Sequence, residues 1–503
     1  MSETVPVNSS NGVEKLTLKG PGVILIILAF IAMMVMFIEI MLVPALPTIA
    51  MEFPDESQWV SWVLSAYLLA GAVATPLLGR LGDIYGKKKV MMLSMVGYTI
   101  GLMGCAFSTS MIMLIAFRAV QGIGMGMFPL AFGIIRDNFP KRLIPMAIGV
   151  VSAMFSVGVS IGLLAGGLIV EYFDWRTAFD IVWPLMSLLI VVVYLVIKTT
   201  DTTIKCKIDV VGAALLGLGI FCLLLGLTQG DEWGWTSIGV IGLFALSASL
   251  LIDFVLWERR TTDPIVSLRL MANRGIAGAN ICGFFVGISM FLIFQTLPFF
   301  LMSPEAVGGL GVESAFDVGV YLFPSAIAQL IFAPLAGKWS KKLGADRVLA
   351  TGLLFIAFGY LLVILFHSNV NEIMIAMFVM GIGLGVSMVS LINVVAMASP
   401  QRDFGIASGM NTLFRIVGGS IGPVLASVIL AGYLIAYNPP GAPPSVIIEL
   451  TSDQGYVWAW IAGMAFSLVG FVIALVMRPG HGLDYENDVR PEDEIGKTSC
   501  PQP

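Results

Sequence analysis

Pro76-Leu77-Leu78-Gly79-Arg80 recurs 258 residues on as Pro334-Leu335-Ala336-Gly337-Lys338, and Gly86 recurs as Gly344 at the same offset. Gly122-Ile123-Gly124-Met125-Gly126 returns 259 residues on as Gly381-Ile382-Gly383-Leu384-Gly385. Ser160-Ile161-Gly162 returns 260 residues on as Ser420-Ile421-Gly422. A single glycine-rich match is weak. Three in the same order at a nearly constant offset indicate one design used twice. Duplicated helical bundles around a shared central site are a transporter architecture.

Long apolar runs surround these matches. A membrane helix needs about 20 apolar residues, and charges divide this chain into runs of that length. The runs predict helices near 21–47, 58–79, 90–108, 110–134, 144–168, 178–197, 209–228, 236–256, 276–300, 315–337, 347–366, 370–394, 404–434 and 455–477. The expected fold class is therefore an all-α polytopic membrane protein with 14 transmembrane helices. The repeat divides it into a six-helix bundle at 21–197, a two-helix insertion at 209–256 and a second six-helix bundle at 276–477. Residues 1–20 and 478–503 are left as cytoplasmic ends, and 435–454 as an irregular cap.

Composition excludes the other classes. Of 503 residues, 58% are hydrophobic and only 12% charged, with a mean hydropathy of +0.94. A soluble protein of this length could not cover its surface with so few charges. The net charge of -5 gives no reason to expect nucleic acid. Cys105, Cys206, Cys222, Cys282 and Cys500 form no C-x-x-C pair, so no metal is expected. The two histidines, His367 and His481, fall near a helix end and in the tail. No G-x-x-x-x-G-K-[ST] phosphate loop occurs, and nothing suggests a catalytic residue.

Orientation follows from Lys and Arg. With both termini cytoplasmic, 24 of the 27 basic residues fall inside, Arg176 falls outside, and Arg118 and Arg415 lie within helices. Of the 32 acidic residues, 14 fall on the outer side or at outer helix ends. The mild net charge thus conceals a strong polarity across the membrane.

Three stretches carry a family resemblance. Gly79-Arg80-Leu81-Gly82-Asp83-Ile84-Tyr85-Gly86-Lys87-Lys88-Lys89 resembles the loop signature between helices 2 and 3 of the major facilitator superfamily. Leu114 to Gly124, with Arg118, Gln121 and Gly122, resembles the helix 4 signature of its fourteen-span drug:proton antiporter family. Gly158-Val159-Ser160-Ile161-Gly162-Leu163-Leu164-Ala165-Gly166-Gly167 resembles that family's helix 5 antiporter motif, with Leu163 where a proline is usual. The resemblance spans 21–477. It implies the major facilitator fold, a gating role for Gly79, Asp83, Gly86, Lys87 and Lys88, and a part for Arg118 in proton coupling. It also implies a monomer in the plasma membrane, driven by a proton gradient without a cofactor. The second copy of the loop departs from the pattern, with Lys341 where Asp83 stands.

Intramembrane charges are functional candidates by default. Glu39 is the only carboxylate deep in a predicted span, about 12 Å from the outer end of a helix running to Pro47. Arg118 lies at a similar depth. Burial disfavours a charged carboxylate and a neighbouring arginine favours it, which keeps such a group within reach of protonation. Glu39 is therefore a candidate site for a proton or a cationic substrate, with a static Glu39–Arg118 pair as the structural alternative. Arg415, near mid-bilayer, would attract an anionic group or brace neighbouring helices. Asn280, Gln295, Gln329 and Asn393 are candidates to line a pocket. The functional expectation is proton-coupled export of hydrophobic or amphipathic small molecules by alternating access. A proton-coupled uptake symporter for a nutrient or small organic acid, and a transport-inactive receptor or scaffold, remain open at this point.

Overall fold

The structure is a computed structural model that describes residues 21–140, 143–197, 209–261, 264–399, 404–438 and 448–477. The first half comprises α1 (Pro21–Met41), α2 (Leu46–Glu52), α3 (Trp62–Tyr85), α4 (Lys87–Ala106), α5 (Met111–Gln121), α6 (Met127–Asn138), α7 (Ile144–Tyr172) and α8 (Arg176–Val196). Then come α9 (Val210–Trp233) and α10 (Ile238–Glu258). The second half comprises α11 (Leu268–Met271), α12 (Arg274–Met302), α13 (Ala315–Leu343), α14 (Ala345–Leu365), α15 (Val370–Ala398), α16 (Phe404–Ala431) and α17 (Asp453–Val476). Among the described residues, thirteen helical spans are long and apolar enough to cross a bilayer. The chain is a multi-pass protein of the plasma membrane.

Polar caps start several spans where the apolar runs begin. Ser110 accepts from Met113 N at the head of α5, and Asn369 accepts from Asn371 N and Glu372 N at the head of α15. These caps satisfy helix donors that have no partner within the helix.

Several boundaries differ from the sequence expectation. The first helix stops at Met41 instead of reaching 47. Pro44 has no N–H to donate, and the chain turns through Val43 N to Ile40 O and Ala45 N to Leu42 O. The chain then restarts as α2, with Pro47 in its first turn, where a missing donor costs nothing. The second span runs to Tyr85, straight through Pro76, and not to 79. The span expected at 110–134 is two α-helices joined by a 3₁₀ segment at Gly122–Gly126, and it ends at Asn138. Helix α16 ends at Ala431, short of 434. The segment expected to be an irregular cap contains an antiparallel hairpin, β1 (Leu434–Tyr437) and β2 (Ile448–Thr451), with Leu434 opposite Thr451 and Tyr437 opposite Ile448.

The two halves pack by the same scheme. Helix α1 lies on α7 as α12 lies on α16, and α4 contacts α5 and α8 as α14 contacts α15 and α17. Gly86 and Gly344 end α3 and α13 with φ of 97° and 94°, a conformation that suits glycine. The repeat read from sequence is thus one backbone device made twice.

The halves meet along two seams, α7 against α13 and α3 against α16. The first seam is in backbone contact. A Cβ on Gly167 would stand 2.5 Å from Ala315 O, and one on Gly319 would press on Leu163 O. Helix α9 covers the second seam, touching both α3 and α16. There Trp62 Nε1 donates to Thr228 Oγ1 at 2.9 Å, and the Trp62 ring meets Phe221 edge-on.

Candidate functional site

Arg118 sits in the last turn of α5 and is fully buried. A guanidinium in hydrocarbon must find partners. Its Nε donates to Val63 O at 3.0 Å, and its Nη1 donates to Gln121 Oε1 at 2.6 Å. Its Cζ lies 4.4 Å from the centre of the Tyr67 ring, a cation–π contact. Residues 118 and 121 share a helix face because they are three apart. Close packing brings these groups together. Gly122 abuts Tyr67 O and Gly71 N of α3, and Gly101 of α4 abuts the backbone of Gln121.

Glu39 lies in the last turn of α1, just before the Pro44 break, and is only 2% exposed. Among the described residues it forms no ion pair, and its Oε2 has no hydrogen-bond partner. The static Glu39–Arg118 contact pair is therefore absent from this conformation. Glu39 instead interacts electrostatically with two guanidiniums, Arg415 first and Arg118 second. Arg415 projects from α16 in the other half. It is half-buried and makes no hydrogen bond or ion pair among the described residues. The three intramembrane charges named from sequence thus form one electrostatic group that spans both bundles.

The chemistry of this group is not repeated. Gly122 abuts Tyr67 O and Gly381 abuts Ser325 O; Gly124 abuts the Tyr98 ring and Gly383 abuts Ile356. Gly162 abuts Phe37 O and Gly422 abuts Ile288 O. Those contacts superpose the halves residue by residue. Glu39, Tyr98, Arg118 and Gln121 then correspond to Met290, Ile356, Met377 and Met380, all buried and apolar. The polar cluster belongs to the first half alone. Tyr67 and Tyr98 were not singled out from sequence, although the repeat held the signal: polar residues in one copy over smaller or apolar ones in the other.

The remaining candidates are placed as follows. Lys87 Nζ pairs with Asp137 at 2.9 Å, and Lys88 Nζ donates to Tyr194 O at 2.8 Å, which fastens the start of α4 to α6 and α8. Gly79 faces Pro129 of α6 at ordinary contact distance. Asp83 lies in the last turn of α3, and its side chain is outside the described residues. Gly158, Gly162 and Gly166 seat α7 on the backbone of α1, whereas Gly167 faces α13. Asn280 is buried between α12 and α16, where its Oδ1 accepts from Asn411 Nδ2 at 3.3 Å. Gln329 packs against Gly385 on α15, Asn393 is half-buried, and buried Gln295 has no partner for its Oε1.

Glu39 is not the only buried carboxylate. Glu258, at the end of α10, accepts from Ile265 N and Val266 N, and Asp209 caps α9 and accepts from Trp257 Nε1 at 2.7 Å. Among the described residues no group of three or more His, Cys, Asp and Glu is placed to hold a metal. Cys105, Cys222 and Cys282 are free and buried; Cys206, Cys500 and His481 lie outside the described residues.

Comparison with known proteins agrees with this architecture. A family model described as Major Facilitator Superfamily matches residues 26–327 and 279–497. Multidrug resistance protein 3 of Bacillus subtilis (strain 168) is 30% identical over 373 residues, covering 73% of this chain and 72% of that protein. The multidrug transporter protein MdtP of the same organism is 28% identical over 74% of this chain and 68% of its own length. The tetracenomycin C resistance and export protein of Streptomyces glaucescens is 28% identical over 82% of this chain and 76% of its own. Among solved structures, the human organic anion transporter MFSD10 (TETRAN) matches with a TM-score of 0.60 and 15% identity, covering 90% of this chain and 98% of that one. That likeness concerns the fold alone.

Proposed function

The chain belongs to the Major Facilitator Superfamily, and from that premise we propose that it exports hydrophobic or amphipathic small molecules in exchange for protons. It is a secondary active small-molecule transporter and not an enzyme. We place it in the fourteen-span drug:proton antiporter branch. The 29-residue helix α7 joins the thirteen spans in support of that count, and the distribution of Lys and Arg supports cytoplasmic termini. On this reading 21–197 and 276–477 rock as two bundles around a central site, and 209–256 rides on their seam. The proton gradient supplies the energy without a cofactor, and a single copy suffices.

One observation carries the reading. Glu39 is a buried carboxylate held by no ion pair, within the field of a guanidinium from each bundle. Ionised, it offsets one of the two positive charges and draws α1 and α16 together. Protonated, it releases that attraction. A proton and the cationic or polar part of a substrate then compete for one carboxylate, and exclusive occupancy is what couples opposite fluxes. The relatives named for multidrug resistance and for tetracenomycin C export favour the outward direction.

Arg415 supports a second reading. An unpaired, half-buried guanidinium would take an anionic substrate group, and an anion there would bind with the proton instead of against it. That arrangement is uptake by symport. The test is a ligand thermal-shift panel to find a bound compound, followed by its flux in proteoliposomes under an imposed pH gradient. Substrate moving against the proton flow supports export. Substrate moving with the protons overturns it in favour of symport.

A further inference from the structure

Besides Ser61 Oγ and Ser65 Oγ at the head of α3, five side-chain atoms of the first bundle are buried without hydrogen-bond partners: Glu39 Oε2, Tyr67 Oη, Tyr98 Oη, Arg118 Nη2 and Gln121 Nε2. They come from α1, α3, α4 and α5; the α3, α4 and α5 groups adjoin one another, and Glu39 interacts with them electrostatically. Arg118 stacks on Tyr67 and binds Gln121. Tyr98 stands beside the Gln121 amide without meeting hydrogen-bond geometry, and both tyrosines lie within the fields of Glu39 and Arg118. Arg415 and Cys105 are the other titratable groups within those fields.

The donor inventory is unbalanced. Gln121 Oε1 is committed to Arg118, so its amide nitrogen can only donate. Arg118 Nη2 also only donates. Glu39 Oε2, when ionised, only accepts. Leaving such groups unpaired in an apolar interior is costly, and buried water that makes several hydrogen bonds is the usual partner of otherwise unsatisfied polar groups. Water accepts from the two nitrogens and still donates to the carboxylate. The tyrosine hydroxyls, which both donate and accept, can close the ring around it.

We propose that Tyr67 and Tyr98, with Arg118 Nη2 and Gln121 Nε2, enclose a bound-water site that relays protons to and from Glu39. The proposal rests on the reading of Glu39 as the proton carrier. The proton passes from a water to Glu39 Oε2 while that water receives one from the next oxygen in line, so no charge is left behind on the tyrosines. They are positioning residues: they hold the water in line and do not keep the proton.

The test follows protonation of Glu39 directly. Full-length protein in nanodiscs is rapidly acidified, and the C=O stretch of the protonated carboxyl is followed by time-resolved infrared spectroscopy. The Glu39 band is assigned by its loss in Glu39→Gln. Tyr67→Phe keeps the ring beneath Arg118 and Tyr98→Phe keeps the ring against Gly124, so both variants should melt like the wild type. Each is expected to slow the appearance of the band by about tenfold or more, because the water is no longer held in line. The double variant should show a larger solvent isotope effect. A clear Glu39 band that rises at the wild-type rate in both single variants and in the double overturns the relay and leaves proton coupling intact. A wild type with no Glu39 band at any pH removes Glu39 as carrier, and the relay with it.

Discussion

Gly167→Ala should move the equilibrium between the two faces of the transporter. An added methyl would stand 2.5 Å from Ala315 O and 2.9 Å from Phe316 Cα. Both are backbone atoms of α13, so no side chain can swing away, and the helices themselves must part. Overpacking of this kind costs about 1–3 kcal/mol. The contact joins α7 of one bundle to α13 of the other, so it exists only while these bundle ends are together. The cost therefore falls on this conformation and not on the alternative in which they separate. A bias of that size corresponds to a shift of about 5- to 150-fold in the ratio of the two states. Spin labels at the C-terminal end of α7 and the N-terminal end of α13, read by pulsed EPR, would report the shift as growth of the longer-distance population. Gly166→Ala is the control. Its methyl would press on Met41 O of α1, inside one bundle, and should lower Tm without changing the distance distribution. Unchanged distances in Gly167→Ala alongside a lowered Tm would refute the idea that this seam opens during transport.

Other perturbations test neighbouring parts of the structure. Arg118→Lys keeps the charge but loses the planar fork that serves Val63 O and Gln121 together; transport in proteoliposomes should fall at least about tenfold, because an ammonium is a point donor. Gly86→Ala meets no atom within 4 Å yet must adopt φ near 97°, so backbone strain alone should cost about 1–3 kcal/mol in thermal or denaturant unfolding. Lys87 and Asp137, 2.9 Å apart and largely buried, should show a coupling energy of about 1 kcal/mol in a double-mutant cycle on Tm.

The helical spans were legible in the sequence because charges punctuate it and a bilayer demands apolar runs of fixed length. The repeat was legible because its glycines perform the same close contacts twice: Gly122 and Gly381 on α3 and α13, Gly162 and Gly422 on α1 and α12. Interruptions inside apolar runs were harder to read. Pro44 ends α1, whereas Pro76 lies within α3 and Pro423 within α16, so a proline alone does not distinguish a break from a helix that continues. The strands flanking Pro439–Pro444 carry only four residues each, too few for a period to emerge.

The charged candidates Glu39, Arg118 and Arg415 stood out by rarity, but their relation did not. Depth along a helix suggested Glu39 with Arg118. In the fold Glu39 also lies within the field of Arg415, 376 positions away on α16 of the other bundle. No local pattern encodes that. Tyr67 and Tyr98 were hidden for a related reason. Aromatic residues are common in membrane helices, and only their placement around Arg118 and Gln121 gives their hydroxyls meaning.

The decisive measurement is proton-driven substrate flux by Glu39→Gln beside the wild type, with the same bound compound in the same proteoliposomes. Glutamine preserves the shape and cannot ionise. The variant should still bind substrate and exchange it down its own gradient, but fail to accumulate it against that gradient when a pH difference is imposed. Accumulation at the wild-type rate would contradict the assignment of Glu39 as the residue that couples the two fluxes.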